Sequence, residues 1–257
     1  MAAVTFDLWH TLIYLPPEAE ETYMARQLAI GEKVLRQAPQ DPAGPRRADG
    51  QLRSAFERSY AAAVTASVRG RSVTPAEQIA RAARASGRVV DPDNYLEGLR
   101  SEVRRTPFLR APGALPLLRG LRADGYRVAV ISNTVGEPGA YLRPILTKMG
   151  FDRYVEDYVF SDEQPWTKPS PRIFRFALRR LGERPGRSVH LGDGWSDIEG
   201  ARRAGYRGSI LFTGLHAYGA RYRDLFLSGS PRLPEATFRT RQLSEAGPLV
   251  RRLLPEP

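Results

Sequence analysis

Three aspartates, a lysine and a serine have the types and the settings to do chemistry together. They are Asp7 in Asp7-Leu8-Trp9-His10-Thr11, Ser132 in Ser132-Asn133, Lys168 in Lys168-Pro169, and the pair Asp193 and Asp197 in Gly192-Asp193-Gly194-Trp195-Ser196-Asp197. A carboxylate nucleophile, a hydroxyl, an ammonium and a second acidic pair form an inventory for handling a phosphoryl group on a divalent cation. A carboxylate that attacks phosphorus repels an anionic substrate unless its charge is partly neutralised. A cation bound by Asp7 and Asp193 does this, which makes Asp7 nucleophile and ligand at once. The four-residue spacing of Asp193 and Asp197 lets one carboxylate touch the metal while the other orients ligand waters or holds Lys168. The Ser132 hydroxyl and the Asn133 backbone N–H can donate to phosphoryl oxygens, and Lys168 adds positive charge to the same oxygens. Taken singly, each has a plain structural reading: Asp7 as a loop cap, Asp197 as a helix cap, Ser132-Asn133 as a turn. Their common setting beside strand-like runs separates them from independent turns.

The elements that must position them follow from the hydrophobic periods. Residues 3–6 are a short β-prone run ending at Asp7, so its carboxylate sits at the C-terminal edge of a strand, where open α/β sheets bind ligands. After Pro16-Pro17, helical periodicity takes over at 18–37 and again at 48–68. Thr74-Pro75-Ala76-Glu77 is a capping box opening a third helix that closes near Gly87, and Asp91-Pro92 opens a fourth that ends before Pro107. About ninety residues without a convincing strand amount to a helical module inserted into something else. From Ala114 the periods alternate: strands at 127–131, 154–160, 188–191 and 209–212, helices to Gly125 and Gly150 and at 171–181 and 198–205. This pattern predicts an α/β fold, a Rossmann-like parallel sheet flanked by helices, with an inserted all-helical cap domain. Residues 215–234 read as a loop, and 243–254 as a final helix.

Composition narrows the chemistry. With no cysteine, thiolate catalysis and thiolate-bound zinc are excluded, and three scattered histidines do not make a histidine metal site, so any metal is a hard cation held by oxygen. The net charge of +11 is spread as Arg pairs between acidic residues, so no specific nucleic-acid partner is expected. No apolar run is long enough for a membrane span and no targeting signal stands at the N-terminus, which predicts a cytoplasmic location. Only Lys33, Lys148 and Lys168 are lysines among 36 arginines. In a chain with that preference, Lys168 marks a place for a compact point charge rather than a planar fork.

Residues 7–12, Val130-Ile131-Ser132-Asn133, Lys168-Pro169-Ser170-Pro171-Arg172-Ile173-Phe174, and His190-Leu191-Gly192-Asp193 through Asp197 with Gly200-Ala201 resemble the four motifs of the haloacid dehalogenase superfamily. The similarity runs from Ala3 to about Thr213, with the helical module in the place of a C1-type cap. The resemblance implies a core of 1–16 and 112–257 and a mobile cap of 17–111. It also implies Mg²⁺ at Asp7, the Trp9 backbone carbonyl and Asp193, with Asp197 alongside, and an aspartyl-phosphate intermediate on Asp7. Thr11, Ser132, Asn133, Lys168 and Asp197 match family positions for phosphoryl binding and support. The expected activity is that of a Mg²⁺-dependent phosphatase acting on a small phosphorylated metabolite.

The departure from the family pattern is Trp9, which stands where the family's phosphatases carry the Asp that protonates the leaving oxygen. A placed acid/base is worth about a hundred- to ten-thousandfold, and an indole cannot replace it. Family dehalogenases carry an aromatic residue here, which makes a 2-haloacid dehalogenase with Asp7 as nucleophile an alternative. They generally lack the Gly-Asp that this chain keeps at Gly192-Asp193. A family member that binds a phosphorylated ligand without turnover is the other alternative. His10 next to Trp9 is expected to pack or form a loop, because neighbouring strand residues point to opposite faces. Trp9, Trp166 and Trp195 all fall in segments that carry the site, which predicts an apolar mouth suited to an aromatic or otherwise good leaving group. Arg53, Arg58 and Arg71 of the module could meet an anion, with nothing to select them from the other arginines.

Overall fold

The computed structural model describes residues 1–45, 48–215 and 235–255. In chain order the elements are β1 (Ala3–Phe6), β2 (Ile13–Tyr14), α1 (Pro17–Gln37), α2 (Leu52–Val68), α3 (Pro75–Ser86), α4 (Pro92–Arg105), β3 (Leu109–Arg110), α5 (Ala114–Ala123) and β4 (Arg127–Ser132). They continue with α6 (Gly139–Lys148), β5 (Asp157–Phe160), α7 (Pro171–Arg180), β6 (Ser188–Gly192), α8 (Trp195–Ala204), β7 (Gly208–Phe212), β8 (Phe238–Thr240) and α9 (Leu243–Leu253). Six strands form one sheet in the order β5-β4-β1-β6-β7-β8, with every neighbouring pair parallel.

Because β1 pairs with β4 on one side and β6 on the other, the chain reverses its direction of travel across the sheet at β1. That reversal opens a crevice at the C-terminal strand ends. Strand period 2 decides which helices cover which face. Val4, Phe6, Val128 and Val130 share a cluster with Leu118 of α5, Leu146 of α6 and Val250 of α9. Ala3, Ala129 and Ile131 point the other way, onto Ile173 and Phe174 of α7 and Ala201 of α8. Near-continuous apolar runs such as Arg127–Ser132 are what a parallel sheet covered on both faces requires.

Helices α1 to α4 have a cluster of their own, built from Leu35, Leu52, Phe56, Ile79, Tyr95 and Leu99. Gly31 lets α1 lie directly against Phe56, since a Cβ at that position would stand 2.6 Å from the ring. The predicted capping box is present: Glu77 N–H donates to Thr74 Oγ1 at 3.2 Å and Thr74 N–H donates to Glu77 Oε2 at 2.8 Å. The helices touch the sheet domain at several places, among them α2 and the turn after it. Ser72 Oγ donates to the Ser161 carbonyl at 2.6 Å, and the Ser67 and Thr167 hydroxyls are 3.2 Å apart.

The structure corrects several expectations. An antiparallel pair of β2 with β3 was not anticipated, and it places residues 109–110, expected inside the helical segment, against Ile13 and Tyr14. Two-residue strands carry too short a pattern to register as periodicity. The expected strand at 154–160 begins only at Asp157, and β8 extends the sheet beyond β7. The loop expected at 215–234 lies, from residue 216, outside the described residues. Among the described residues no helix is long and apolar enough to cross a membrane.

Candidate active site

Asp7 is the first residue after β1, and its backbone N–H still donates to the Leu191 carbonyl of β6 at 2.8 Å. That bond carries the sheet's rigidity to the carboxylate. Lys168 reaches the same point from the loop before α7, with its ammonium donating to Asp7 Oδ1 and, at 2.6 Å, to Asp197 Oδ1. Both carboxylates and the ammonium are buried. Burial works against the charge on Lys168, but the two carboxylates outweigh it and hold the ammonium well above the ordinary lysine range. Burial likewise opposes ionisation of Asp197, and Lys168 and His190 together reverse it, so this carboxyl lies below its usual range.

Asp197 is fully engaged. Its Oδ1 also meets His190 Nε2 at 3.1 Å, and its Oδ2 accepts the Gly194 N–H at 3.0 Å. A carboxylate can only accept, so Nε2 carries a ring proton, and Nδ1 lies 2.8 Å from Thr5 Oγ1. Thr5 and His190 are central strand residues whose polar atoms are satisfied by each other and by Asp197. Sequence reasoning named His190 only as part of a motif, and its wholly buried place in an otherwise apolar strand was the available signal.

Asp193 comes close to this cluster. Asp7, Asp193 and Asp197 each present a carboxylate oxygen, all within 4.8 Å of one another. Burial, followed by the charge of Asp197, pushes Asp7 up to about 7 despite the Lys168 ammonium, and Asp193 adds to the rise. More negative charge therefore converges here than Lys168 neutralises, and every donor is a hard oxygen. The donor set fits Mg²⁺.

The remaining expected residues divide. The Thr11 and Ser132 hydroxyls are buried and lack hydrogen-bond partners, in residues that follow β1 and end β4. Orphaned buried hydroxyls are costly, so these two are poised for a ligand. The Asn133 side chain is a brace: its Oδ1 accepts the Lys168 N–H at 2.8 Å and its Nδ2 donates to the Lys168 carbonyl at 3.0 Å. It holds the backbone that presents the ammonium.

A cavity of about 180 Å³ opens beside Asp7, Lys168, Asp193 and Asp197, between the strand ends and helices α1 and α2. Trp9 lines it, stacked on Tyr23 of α1 with ring centres 6.5 Å apart and edge-on to Phe108 at 5.4 Å. Trp195 also lines it, whereas Trp166 lies outside under the Arg172 guanidinium, so two of the three tryptophans meet the site. His10 stands in the turn after β1, in keeping with the loop role expected of it, and it also lines the cavity. Strand β1 ends at Phe6, so alternation does not extend to His10, whose φ of 54° turns it into the cavity wall. Its Nε2 lies 3.1 Å from Glu20 Oε1 of α1. Burial works against protonation of this ring, and Glu20 overcomes it, leaving His10 above the ordinary imidazole range. Arg53, Arg58 and Arg71 do not line the cavity. Tyr23, Tyr60, Glu20 and Glu137 do, and sequence reasoning missed them: on α1 and α2 a helix face that packs and one that meets a ligand have the same period, and Glu137 stands in a loop with no period at all.

Comparison with known proteins finds relatives for part of the chain and the fold for most of it. A segment of 97 residues, 37% of this chain, is 39% identical to the glyceraldehyde 3-phosphate phosphatase of Methanothermobacter thermautotrophicus, covering 41% of that protein. A segment of 103 residues, 40% of the chain, is 30% identical to phosphoglycolate phosphatase 1 of Pseudomonas aeruginosa, covering 37% of it. The chain thus spans about two fifths of the length of these relatives. Among solved structures, an HAD phosphatase from Thermococcus onnurineus superimposes with a TM-score of 0.62 over 97% of this chain and 98% of its own, at 20% identity, which speaks to the fold. The model of the haloacid dehalogenase-like hydrolases matches residues 1–205, four fifths of the sequence and all four motif segments, and on that ground the chain belongs to this hydrolase family.

Proposed function

We propose that the protein is a Mg²⁺-dependent phosphatase acting on a small phosphorylated metabolite, with the helical segment 17–111 as a cap over a core of 1–16 and 112–257. The observation that carries this reading is the buried Lys168 ammonium shared by Asp7 and Asp197, with Asp193 alongside, at the floor of a cavity. Asp7, Asp193 and the Trp9 backbone carbonyl would hold Mg²⁺, with Asp197 behind them. When bound, the cation supplies charge neutralisation for an attacking carboxylate.

Asp7 is the nucleophile. Lys168 occupies its Oδ1, so the other carboxylate oxygen attacks phosphorus as the bond to the leaving oxygen breaks, giving an aspartyl phosphate that water then hydrolyses. Thr11, Ser132 and the Asn133 backbone N–H donate to phosphoryl oxygens, and Lys168 offsets the charge that builds there. No carboxylic acid stands at Trp9. The leaving oxygen departs without a proton from that position, which favours alcohols of low pKa.

The test is a screen of phosphate esters with Mg²⁺ and with EDTA, using Asp7→Asn as the blank and halide release from 2-haloacids in parallel. Phosphate release that needs both Asp7 and the cation is expected. Halide release that survives EDTA would establish the dehalogenase instead, and Mg²⁺-dependent phosphate binding without hydrolysis would establish a binding protein.

A further inference from the structure

The cavity is apolar and acidic in a chain that is strongly basic. Its wall beyond the aspartates is formed by Trp9, Tyr23, Met24, Tyr60, Val64 and Trp195. Two more carboxylates enter from opposite sides, Glu20 from α1 and Glu137 from the loop before α6. Although the sequence holds 36 arginines, no arginine is among the described residues of the wall, and the one lysine there is already shared by two aspartates. Glu137 accepts a hydrogen bond from Gln27 Nε2 at 3.2 Å, and no cation pairs with it among the described residues. Burial pushes it up to about 7, and the negative charges of Asp162 and Glu20 add to the rise. Nearby, Tyr23 Oη and Gln27 Oε1 are buried without partners. His10, the other basic group of the wall, is already paired with Glu20, so a substrate with a second anionic group would meet Glu137 with no cation among the described residues to offset it.

Resting on the phosphatase reading, we propose that the leaving group is an aromatic alcohol whose far end carries an ammonium, so that the substrate class is the amine-bearing aryl phosphates. A cavity of about 180 Å³ suits one benzene-sized ring, since an apolar cavity of about 150 Å³ is enough to bind benzene. Aromatic side chains such as Trp9, Tyr23, Tyr60 and Trp195 in the wall suit both an aryl ring and a cation. The ammonium gives Glu137 the partner it lacks. A phenolate leaves without a general acid, which is the condition Trp9 imposes.

The experiment uses three phenyl phosphates whose leaving phenols have similar acidity and whose para arms differ in charge: 2-aminoethyl, ethyl and carboxymethyl. Phosphate release by the native protein gives kcat/KM, and quenching of tryptophan emission gives binding to the Asp7→Asn protein. The aminoethyl ester is expected to exceed the ethyl ester by about tenfold in both readouts, the ratio that one charge-assisted contact supplies, with the carboxymethyl ester lowest. Glu137→Gln, close in shape to the native side chain, should abolish the gap between the aminoethyl and ethyl esters. A carboxymethyl ester handled as well as the aminoethyl ester overturns the inference, as does a gap that survives Glu137→Gln. If the charge preference appears in binding while no ester is hydrolysed in an Asp7-dependent way, the phosphatase reading falls and the ammonium site stands.

Discussion

The two ends of the cavity are built on opposite principles. At the floor, charges are packed against charges: Asp7, Lys168, Asp197 and His190 form a hydrogen-bonded chain anchored in β1, β6 and the loop before α7. At the roof, rings and aliphatic groups from α1 and α2 surround two carboxylates, Glu20 paired with His10 and Glu137 with no cation among the described residues. The floor is rigid because every polar atom of its lysine and of Asp197 is matched, and buried polar networks hold one geometry only when they are satisfied. The roof leaves Tyr23 Oη and Gln27 Oε1 unmatched, which is how a surface looks when it completes its bonds with a ligand. The floor is built from the four motif segments, whereas the roof comes mainly from helices α1 and α2 and the loop before α6.

Breaking the floor should have the largest effect. Asp7→Asn is expected to lower phosphate release by about a thousandfold or more, read in a single-turnover assay, because removal of a nucleophile is not compensated by binding. Lys168→Met should abolish release too, and also cost about 3–5 kcal/mol in denaturant unfolding, since it strands two buried carboxylates. Asp7→Asn, which removes one of those charges, should be far milder in the same unfolding assay. If Lys168→Met unfolds like the native protein, the floor is not the compensated network described above.

The next effect sits where floor meets roof. Trp9→Asp restores an acid beside the nucleophile and should raise turnover of alkyl phosphates by about a hundredfold, while aryl phosphates, which need no proton, change little. Equal gains for both would show that Trp9 limits access rather than proton supply.

A smaller effect separates the roof by pH. Glu137 faces Glu20, Gln27 and Tyr23 from α1, Tyr95 from α4 and Asp162 from the turn after β5, and its carboxyl is raised from about 4.5 to about 7. Between those values the folded protein binds more protons than the unfolded chain, so the native protein loses stability as pH rises through the window. Glu137→Gln should remove that loss. Its stability relative to native should climb from about pH 4.5 to about pH 7 and then level off, as measured by urea unfolding at a series of pH values.

The smallest effect is away from both ends. Thr74→Ala removes the side-chain cap of α3 and should cost about 1 kcal/mol in thermal unfolding. Release from aryl phosphates should not change. A change in catalysis would mean that the roof's geometry depends on helix ends remote from it.

The motif segments were legible because each couples a residue type to a local signal. An apolar strand ending in Asp7, another ending in Ser132, and the Gly-Asp turn before α8 can all be recognised from a few neighbouring residues. Long helices and buried parallel strands were legible for the same reason, since their periods extend over many positions. What failed was short or discontinuous. The two-residue strands β2 and β3 have no period to detect, and strand alternation, which stops at the end of β1, gave no sign that His10 in the following turn reaches the cavity wall. The arginines of the module drew attention by charge alone, yet Arg53 lies on the surface paired with Glu57.

By itself the sequence determined which groups can act on a phosphoryl substrate and which elements carry them, because residue type and local period are properties of neighbouring positions. Only the tertiary structure decided that Glu20, Tyr23 and Tyr60 share a wall with Trp9 and Glu137 while the described arginines stay outside it. Those residues lie far apart in the chain and meet through the packing of α1 and α2 over the strand ends. A helix face turned toward a ligand has the same spacing as one turned toward a core, so no pattern along the chain distinguishes them.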